Sequence, residues 1–194
     1  NLQEAELSYR KAIELNPDFA NAHYNLGIIL KDLGNLKEAE LSYRKAIELN
    51  PCFVEGYLNL GKILREFGNL QEAELSYRKA IELNPSFANA HYNLGVILKD
   101  LGNLQAAELS YRKAIELNPN FANAHYNLGV ILKDLGNLQE AELSYRKAIE
   151  LNPNSVETYS NLAIILREFG NLQEAELSYR KAIELNPNFV ETHS

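Results

Sequence analysis

A strict internal repeat is the feature that most constrains the fold of this chain. One segment, Asn-Leu-Gln/Lys-Glu/Ala-Ala-Glu-Leu-Ser-Tyr-Arg-Lys-Ala-Ile-Glu-Leu-Asn-Pro, begins at Asn1 and returns at Asn35 and at every 34th residue after that. All six prolines keep the same spacing, from Pro17 to Pro187. A unit of this length with two turn signals holds two helices of about 14 residues and two short turns. The repeat therefore predicts an all-α fold.

The first half of each unit predicts an amphipathic helix, called helix A here. In the unit 20–53 the apolar residues recur at three- and four-residue steps: Leu26, Ile29, Leu30 and Leu33. At 3.6 residues per turn these side chains line one face. Gly34 follows them, and glycine is the residue best suited to the left-handed conformation just past a helix end. We therefore expect helix A to end there.

The second half of the unit predicts helix B. Asn35, with Glu38 three residues later, predicts a capping box at its start. Its apolar residues cover more than half of the circumference, which predicts packing on both the partner helix and a neighbouring unit: Leu36, Ala39, Leu41, Tyr43, Ala46, Ile47 and Leu49. Pro51 ends the helix because the residue before a proline is disfavoured in helical geometry.

The residue after each proline predicts the cap of the next helix A. It is a good N-cap type in five of six cases: Asp18, Ser86, Asn120, Asn154 and Asn188. Cys52 is the exception, and its missing cap predicts a local cost of about 1 kcal/mol.

Charged residues on helix B predict ion pairs. Glu40, Arg44 and Glu48 stand four apart, which favours a charge ladder on a solvated face worth about 0.3 kcal/mol for each pair.

Composition narrows the classes of partner. The 26 carboxylates against 19 basic side chains give a net charge of -7, which argues against a nucleic-acid or anionic-membrane partner. No apolar run approaches the roughly 18 residues of a membrane span, and the first residues lack the features of a signal peptide. The single cysteine, Cys52, cannot form an intrachain disulfide. A cytoplasmic location is the resulting prediction.

Residues that could support catalysis or bind a metal are scarce. There is no Ser/His/Asp or Cys/His constellation and no glycine-rich phosphate loop, so we predict a non-enzymatic chain without a cofactor. The histidines occur once in a repeat, which is not the i, i+4 spacing of a helical metal pair: His23, His91, His125 and His193. No metal site is expected.

The repeating residues resemble the tetratricopeptide repeat (TPR). The matching set is His23-x-x-Leu26-Gly27-x-x-Leu30, then Ala39-x-x-x-Tyr43-x-x-Ala46, then Pro51. The family pattern has Trp-x-x-Leu-Gly-x-x-Tyr, Ala-x-x-x-Phe and a terminal Pro. This chain departs from it with His or Tyr for Trp, Leu for the first Tyr, and Ala163 for Gly. The resemblance implies a right-handed superhelical solenoid of stacked antiparallel helix pairs, with the A helices on the concave face.

The 34-residue frame predicts one TPR array over residues 1–194. Its complete repeats are 20–53, 54–87, 88–121, 122–155 and 156–189. Residues 1–19 are expected to form helix B of a partial repeat and its linker, and residues 190–194 the start of a further helix A. Because neither end carries a polar capping helix, we expect a fragment of a longer chain.

An asparagine occupies the same mid-helix position in all five complete repeats: Asn25, Asn59, Asn93, Asn127 and Asn161. Asparagine is less favourable there than alanine by about 0.7 kcal/mol. A carboxamide both donates and accepts, so a row of them can hydrogen-bond the main chain of an extended peptide. This arrangement is similar to the asparagine ladder of O-linked N-acetylglucosamine transferases. Neighbouring positions on helix A are predicted to add contacts to the peptide: Tyr24, Tyr92, Tyr126, Asn21, Asn89 and Asn123.

Other interpretations stay open. The asparagines could instead bridge neighbouring helices or face water, since the repeats are nearly identical copies. At the level of function, the main prediction is a scaffold that binds a protein or an extended peptide along its concave face. One alternative is self-association through the array ends into head-to-tail oligomers or fibres. Another is that the array is the substrate-recruiting arm of a larger enzyme such as a glycosyltransferase.

Overall fold

The computed structural model describes residues 1–187, which form eleven helices and no strands. The helices are α1 (Leu2–Leu15), α2 (Ala20–Asp32), α3 (Leu36–Leu49), α4 (Val54–Glu66), α5 (Leu70–Leu83), α6 (Ala88–Asp100), α7 (Leu104–Leu117), α8 (Ala122–Asp134), α9 (Leu138–Leu151), α10 (Val156–Glu168) and α11 (Leu172–Leu185). Odd-numbered helices are the predicted B helices and even-numbered ones the A helices. In this part of the chain no helix has the length and apolarity needed to cross a bilayer.

The chain divides into two compact units, Asn1–Leu101 and Gly102–Ser194, called the first and second unit below. In the first unit α2 packs on α3 and α4 on α5, and in the second α8 packs on α9 and α10 on α11. Each B helix from α1 to α9 also contacts the following A helix of its unit, as α3 contacts α4 and α9 contacts α10. The prediction of an all-α fold of stacked helix pairs is confirmed.

A tyrosine and a glycine set the close approach in three helix pairs: α2 with α3, α4 with α5, and α8 with α9. Tyr43 on α3 is fully buried, and a Cβ added at Gly27 on α2 would lie only 2.7 Å from its Cε1 atom. In the second unit, a Cβ at Gly129 would lie 2.6 Å from Cε1 of Tyr145. Glycine at this position therefore provides room for the ring that fills the core.

The end of helix A follows the prediction. Gly34 has a φ of 82°. Its N–H donates to the carbonyl of Lys31 at 2.9 Å, and the N–H of Asn35 donates to the carbonyl of Leu30 at 2.8 Å. These two bonds form a Schellman motif, which satisfies carbonyls that the helix end would otherwise leave unpaired.

The predicted capping box at Asn35 is wrong. Its side chain makes no capping hydrogen bond. The reciprocal half of the box is blocked, because it needs the N-cap N–H for the Glu38 carboxylate, whereas the N–H of Asn35 already donates to Leu30 in the Schellman motif. Asn103 does cap its helix, because its Oδ1 accepts from the N–H of Ala106 at 3.3 Å.

The predicted caps after each proline are also wrong. The N-cap position of helix A belongs to a phenylalanine one residue later or, before α10, to Ser155. The turn is held instead by the asparagine before the proline, whose Oδ1 accepts the N–H two residues on, as from Cys52 to Asn50 at 3.2 Å. Cys52 makes this bond through its main chain as Asp18 does, so its side chain removes no cap. Asn188 lies outside the described residues.

The prediction that Leu41 belongs to the packed face of helix B is wrong. Leu41 is 66% exposed, because it points away from the face that carries Ala39 and Tyr43. The other B helices keep the same leucine 64% to 69% exposed: Leu7, Leu75, Leu109, Leu143 and Leu177.

The charge ladder is confirmed only in part. Arg44 does pair with Glu40, at 2.8 Å, but its second partner is Glu72 on α5, at 2.6 Å. Glu48 pairs with Lys45 instead, at 2.7 Å. A lysine three residues before Glu48 competes for it, and packing brings the next B helix within reach of the guanidinium.

Candidate functional site

The predicted asparagines all lie on A helices and are all half-buried. Asn25, Asn59 and Asn93 belong to α2, α4 and α6 of the first unit, and Asn127 and Asn161 to α8 and α10 of the second. The three asparagines near the start of an A helix, Asn21, Asn89 and Asn123, are exposed. The tyrosines Tyr24, Tyr92 and Tyr126 are half-buried.

Two of the asparagines bridge neighbouring A helices. In the first unit Asn59 Nδ2 donates to Tyr24 Oη at 3.0 Å, which joins α4 to α2. In the second unit Asn161 Nδ2 donates to Tyr126 Oη at 3.3 Å, which joins α10 to α8. The bridging alternative left open by the sequence is therefore observed at Asn59 and Asn161.

The same carboxamides also accept from lysines. Asn59 Oδ1 accepts from Lys62 Nζ, and Asn161 Oδ1 from Lys133 Nζ, both at 3.4 Å. A carboxamide has two N–H donors and two acceptor lone pairs. Each bridged asparagine thus keeps one donor and one lone pair for another partner.

Asn93 differs from the bridged pair. The residue 35 positions before it is Leu58, which has no hydroxyl to offer. Within residues 1–187 the carboxamides of Asn93 and Asn25 have no hydrogen-bond partner. Among the five predicted asparagines, the carboxamides of these two are therefore unpaired in the described part of the chain. Their role in peptide binding remains a prediction.

The electrostatic surroundings of the two bridges differ from bulk water. Burial is the main reason that the pKa of Tyr24 is raised, with the charge of Glu55 adding to it and the bond from Asn59 opposing it. Burial and Glu157 raise the pKa of Tyr126 in the same way, again against the bond from its asparagine. Both tyrosines are therefore neutral hydrogen-bonding groups at physiological pH. Beside Asn59, partial desolvation and the charge of Lys31 lower the pKa of Lys62.

The aromatic surroundings of the two tyrosines also differ. In the first unit the Tyr24 ring lies 4.6 Å from the Phe53 ring and 5.8 Å from that of Tyr43, measured between centroids. In the second unit Tyr126 lies 6.0 Å from Tyr145, but the residue that corresponds to Phe53 is Ser155. A cleft of about 320 Å³ is present there, and Asn123 and Tyr126 are among its lining residues.

Sequence reasoning missed this cleft although a signal was present. Phenylalanine stands at the corresponding position in the other described repeats, at Phe19, Phe53, Phe87 and Phe121. A single small residue in an otherwise uniform aromatic position predicts missing volume.

The histidines at the position of the family's tryptophan tie helix A to the turn before it. The Nε2 atom of His23 lies 2.8 Å from the carbonyl of Pro17, and that of His125 lies 3.0 Å from the carbonyl of Pro119. His91 makes the same bond, and His193 is outside the described part of the chain. Over residues 1–187 no group of three or more potential metal ligands occurs.

Comparison with known families gives matches to one kind of repeat. The Tetratricopeptide repeat profile matches residues 20–51, 88–121 and 122–155, which together make up more than half of the chain. A TPR repeat profile matches residues 1–34 and 61–102, and another Tetratricopeptide repeat profile matches 42–74 and 144–176. No curated protein sequence matches the chain.

Solved structures of similar fold include YrrB, described as a TPR protein with an unusual peptide-binding site. It is 26% identical, with a TM-score of 0.78 over 94% of each chain. MamA is 28% identical, with a TM-score of 0.78 over 86% of this chain and 97% of that chain. The Pseudomonas aeruginosa protein pilF is 22% identical, with a TM-score of 0.88 over 98% of this chain and 87% of its own, and shows the fold alone. With its 34-residue helix pairs and the family profile matched over more than half of its length, this chain belongs to the tetratricopeptide repeat family.

Proposed function

We propose that this chain is a protein-interaction scaffold whose A helices bind an extended segment of a partner. The main chain of that segment would hydrogen-bond to one asparagine in each repeat, a set called the asparagine ladder here: Asn25, Asn59, Asn93, Asn127 and Asn161. The observation that carries the proposal is the state of the carboxamides. All are half-buried on A helices, two have no partner within residues 1–187, and the two bridged ones retain a free donor and a free lone pair.

A groove that reads the main chain suits an extended peptide, because each peptide unit offers one donor and one acceptor regardless of its side chain. The tyrosine bridge supports this function rather than opposing it. A carboxamide whose orientation is held by Tyr24 or Tyr126 loses less rotamer freedom when a ligand binds. YrrB, a TPR protein of 26% identity described as having a peptide-binding site, provides support from a relative.

The test is binding of the chain to a library of unstructured peptides. The variant Asn25→Ala/Asn93→Ala removes the two open carboxamides of the first unit. Two lost hydrogen bonds of about 1 kcal/mol each predict affinities weaker by roughly tenfold or more for peptides of unrelated sequence. The matched control is Leu41→Ala/Leu75→Ala, two exposed leucines on B helices, which should leave binding unchanged.

Circular dichroism verifies that every variant is folded. Peptides that bind the parent and the asparagine variant equally would refute the ladder and leave the scaffold. A parent that binds none of the library would refute both.

A further inference from the structure

The cleft at Ser155 replaces an aromatic contact present in the first unit. Phe53 there covers the ring of Tyr24, with 4.6 Å between centroids and an angle of 45° between the planes. Tyr126 is the counterpart of Tyr24, and Ser155 the counterpart of Phe53. Since serine lacks the ring, the side of Tyr126 that a phenylalanine would cover is left to the cleft.

Local hydrogen bonds hold the Ser155 side chain at the start of α10, at the edge of this space. Ser155 Oγ lies 2.6 Å from Thr158 Oγ1 and accepts from the N–H of Thr158 at 3.3 Å, so the side chain caps α10. Thr158 is buried and held by the same contact. The cleft thus follows from the missing ring, and the cap keeps the serine side chain fixed beside it. Its volume of about 320 Å³ is at the lower end of the range found for small-ligand pockets.

The lining of the cleft has a distinct chemistry. Its walls include Tyr126, Ala148 and Thr158, and its polar side chains include Asn123 and Glu157. Within residues 1–187 Glu157 has no cationic partner, and Ser155 Oγ lies 3.5 Å from its Oε2 atom. An aromatic ring beside an unpaired carboxylate favours a planar cation, which stacks on the ring and pairs with the charge.

We propose that the cleft formed by Tyr126, Ser155 and Glu157 is a side-chain pocket for an arginine of the bound peptide. The proposal rests on the peptide-scaffold function and adds a preference for one side chain at one repeat. Lysine fits less well because its ammonium is not planar and cannot bind a carboxylate in a bidentate way. A neutral ring of similar size leaves the carboxylate unpaired.

The probe is a short acetylated and amidated alanine peptide with one central arginine. Its matched forms carry citrulline, lysine or phenylalanine instead, and citrulline keeps the shape of arginine without the charge. Binding to the full chain is followed by NMR shifts of the main-chain amides of Ser155, Glu157 and Thr158. The arginine peptide should bind about tenfold more tightly than the citrulline peptide. Equal affinity of the two would overturn the pocket.

Two variants of the protein sharpen this test. Ser155→Phe fills the cleft with the residue that other repeats carry, and Glu157→Gln removes the charge. Each should reduce the preference for arginine over citrulline to about twofold or less while circular dichroism stays unchanged. A preference retained in Ser155→Phe would place the arginine elsewhere and contradict the proposal.

The opposite substitution, in the first unit, tests the pocket even if Ser155→Phe does not fold. Phe53→Ser removes the ring over Tyr24, next to which Glu55 occupies the position of Glu157. It should create a second arginine-selective site with shifts at residues 53–56, and no new shifts there would count against the pocket.

The asparagine variant separates the pocket from the ladder. Loss of library binding in Asn25→Ala/Asn93→Ala with arginine selectivity intact supports both the ladder and the pocket. Selectivity without any effect of the asparagine variant supports the pocket and refutes the ladder.

Discussion

At the scale of single residues, the buried tyrosine of helix B is matched to a glycine on helix A. Tyr145 has no exposed surface, and the site of a Cβ at Gly129 is already within 2.6 Å of its ring. Most real Cβ contacts are far longer, so the ring or the helix would have to move to admit a methyl group. This residue pair therefore leaves no room for a larger side chain at position 129.

Replacing Gly129 with alanine tests that contact. We expect the free energy of unfolding to fall by about 1–3 kcal/mol, since the methyl group overpacks the pair despite the better helix propensity of alanine. Chemical denaturation followed by circular dichroism measures it. In a Tyr145→Leu background the cost of the same replacement should shrink, because the ring is gone. An equal cost in both backgrounds would show that the ring is not the cause.

At the scale of helices, ion pairs connect successive B helices within a unit. Arg44 pairs with Glu40 on its own helix α3 and with Glu72 on α5, and Arg146 does the same with Glu142 on α9 and Glu174 on α11. The arginine side chains are 38% and 40% exposed, so water and salt screen the charges. These pairs are small additions to helix packing.

The variant Glu72→Gln measures one inter-helix pair. We expect a loss of about 0.5 kcal/mol in the free energy of unfolding at low salt, and less than half of that in about 1 M NaCl. Glu48→Gln is the matched control, because its partner Lys45 is on the same helix and the pair joins no second element. A salt-independent loss at Glu72 would point to packing rather than charge.

At the scale of the whole molecule, each helix of a unit contacts mainly its neighbours in the chain. In the second unit α10 packs on α9 and α11. Stability of such a fold is roughly the sum of terms for repeats and for the interfaces between them. Removing one terminal pair should therefore leave the rest folded.

A chain that ends at Leu151 tests this additivity. It lacks α10 and α11, and we expect α1 to α9 to keep their helical content while unfolding at a lower denaturant concentration than the full chain. Far-UV circular dichroism gives the helicity for each remaining residue. A drop in helicity beyond the removed residues would mean that the folding of the second unit depends on its last pair. This chain also lacks Ser155 and Glu157, so it should show no arginine preference.

Whether a feature could be predicted from the sequence depends on how far apart in the chain the residues that specify it lie. The periodic helices, the left-handed Gly34 and the turn at Pro51 could be predicted, because periodicity, proline and glycine act on residues only a few positions apart. The exposure of Leu41 is also set by residues close to it in the chain. The prediction failed there because Leu41 was grouped with the apolar residues that pack. The close pairing of Gly27 with Tyr43, the bridge from Asn59 to Tyr24 and the pair from Arg44 to Glu72 join residues 16, 35 and 28 positions apart in the chain. Only the packing of one helix on the next brings such side chains together, and the cleft at Ser155 exists because that packing holds its walls in place where one ring is missing.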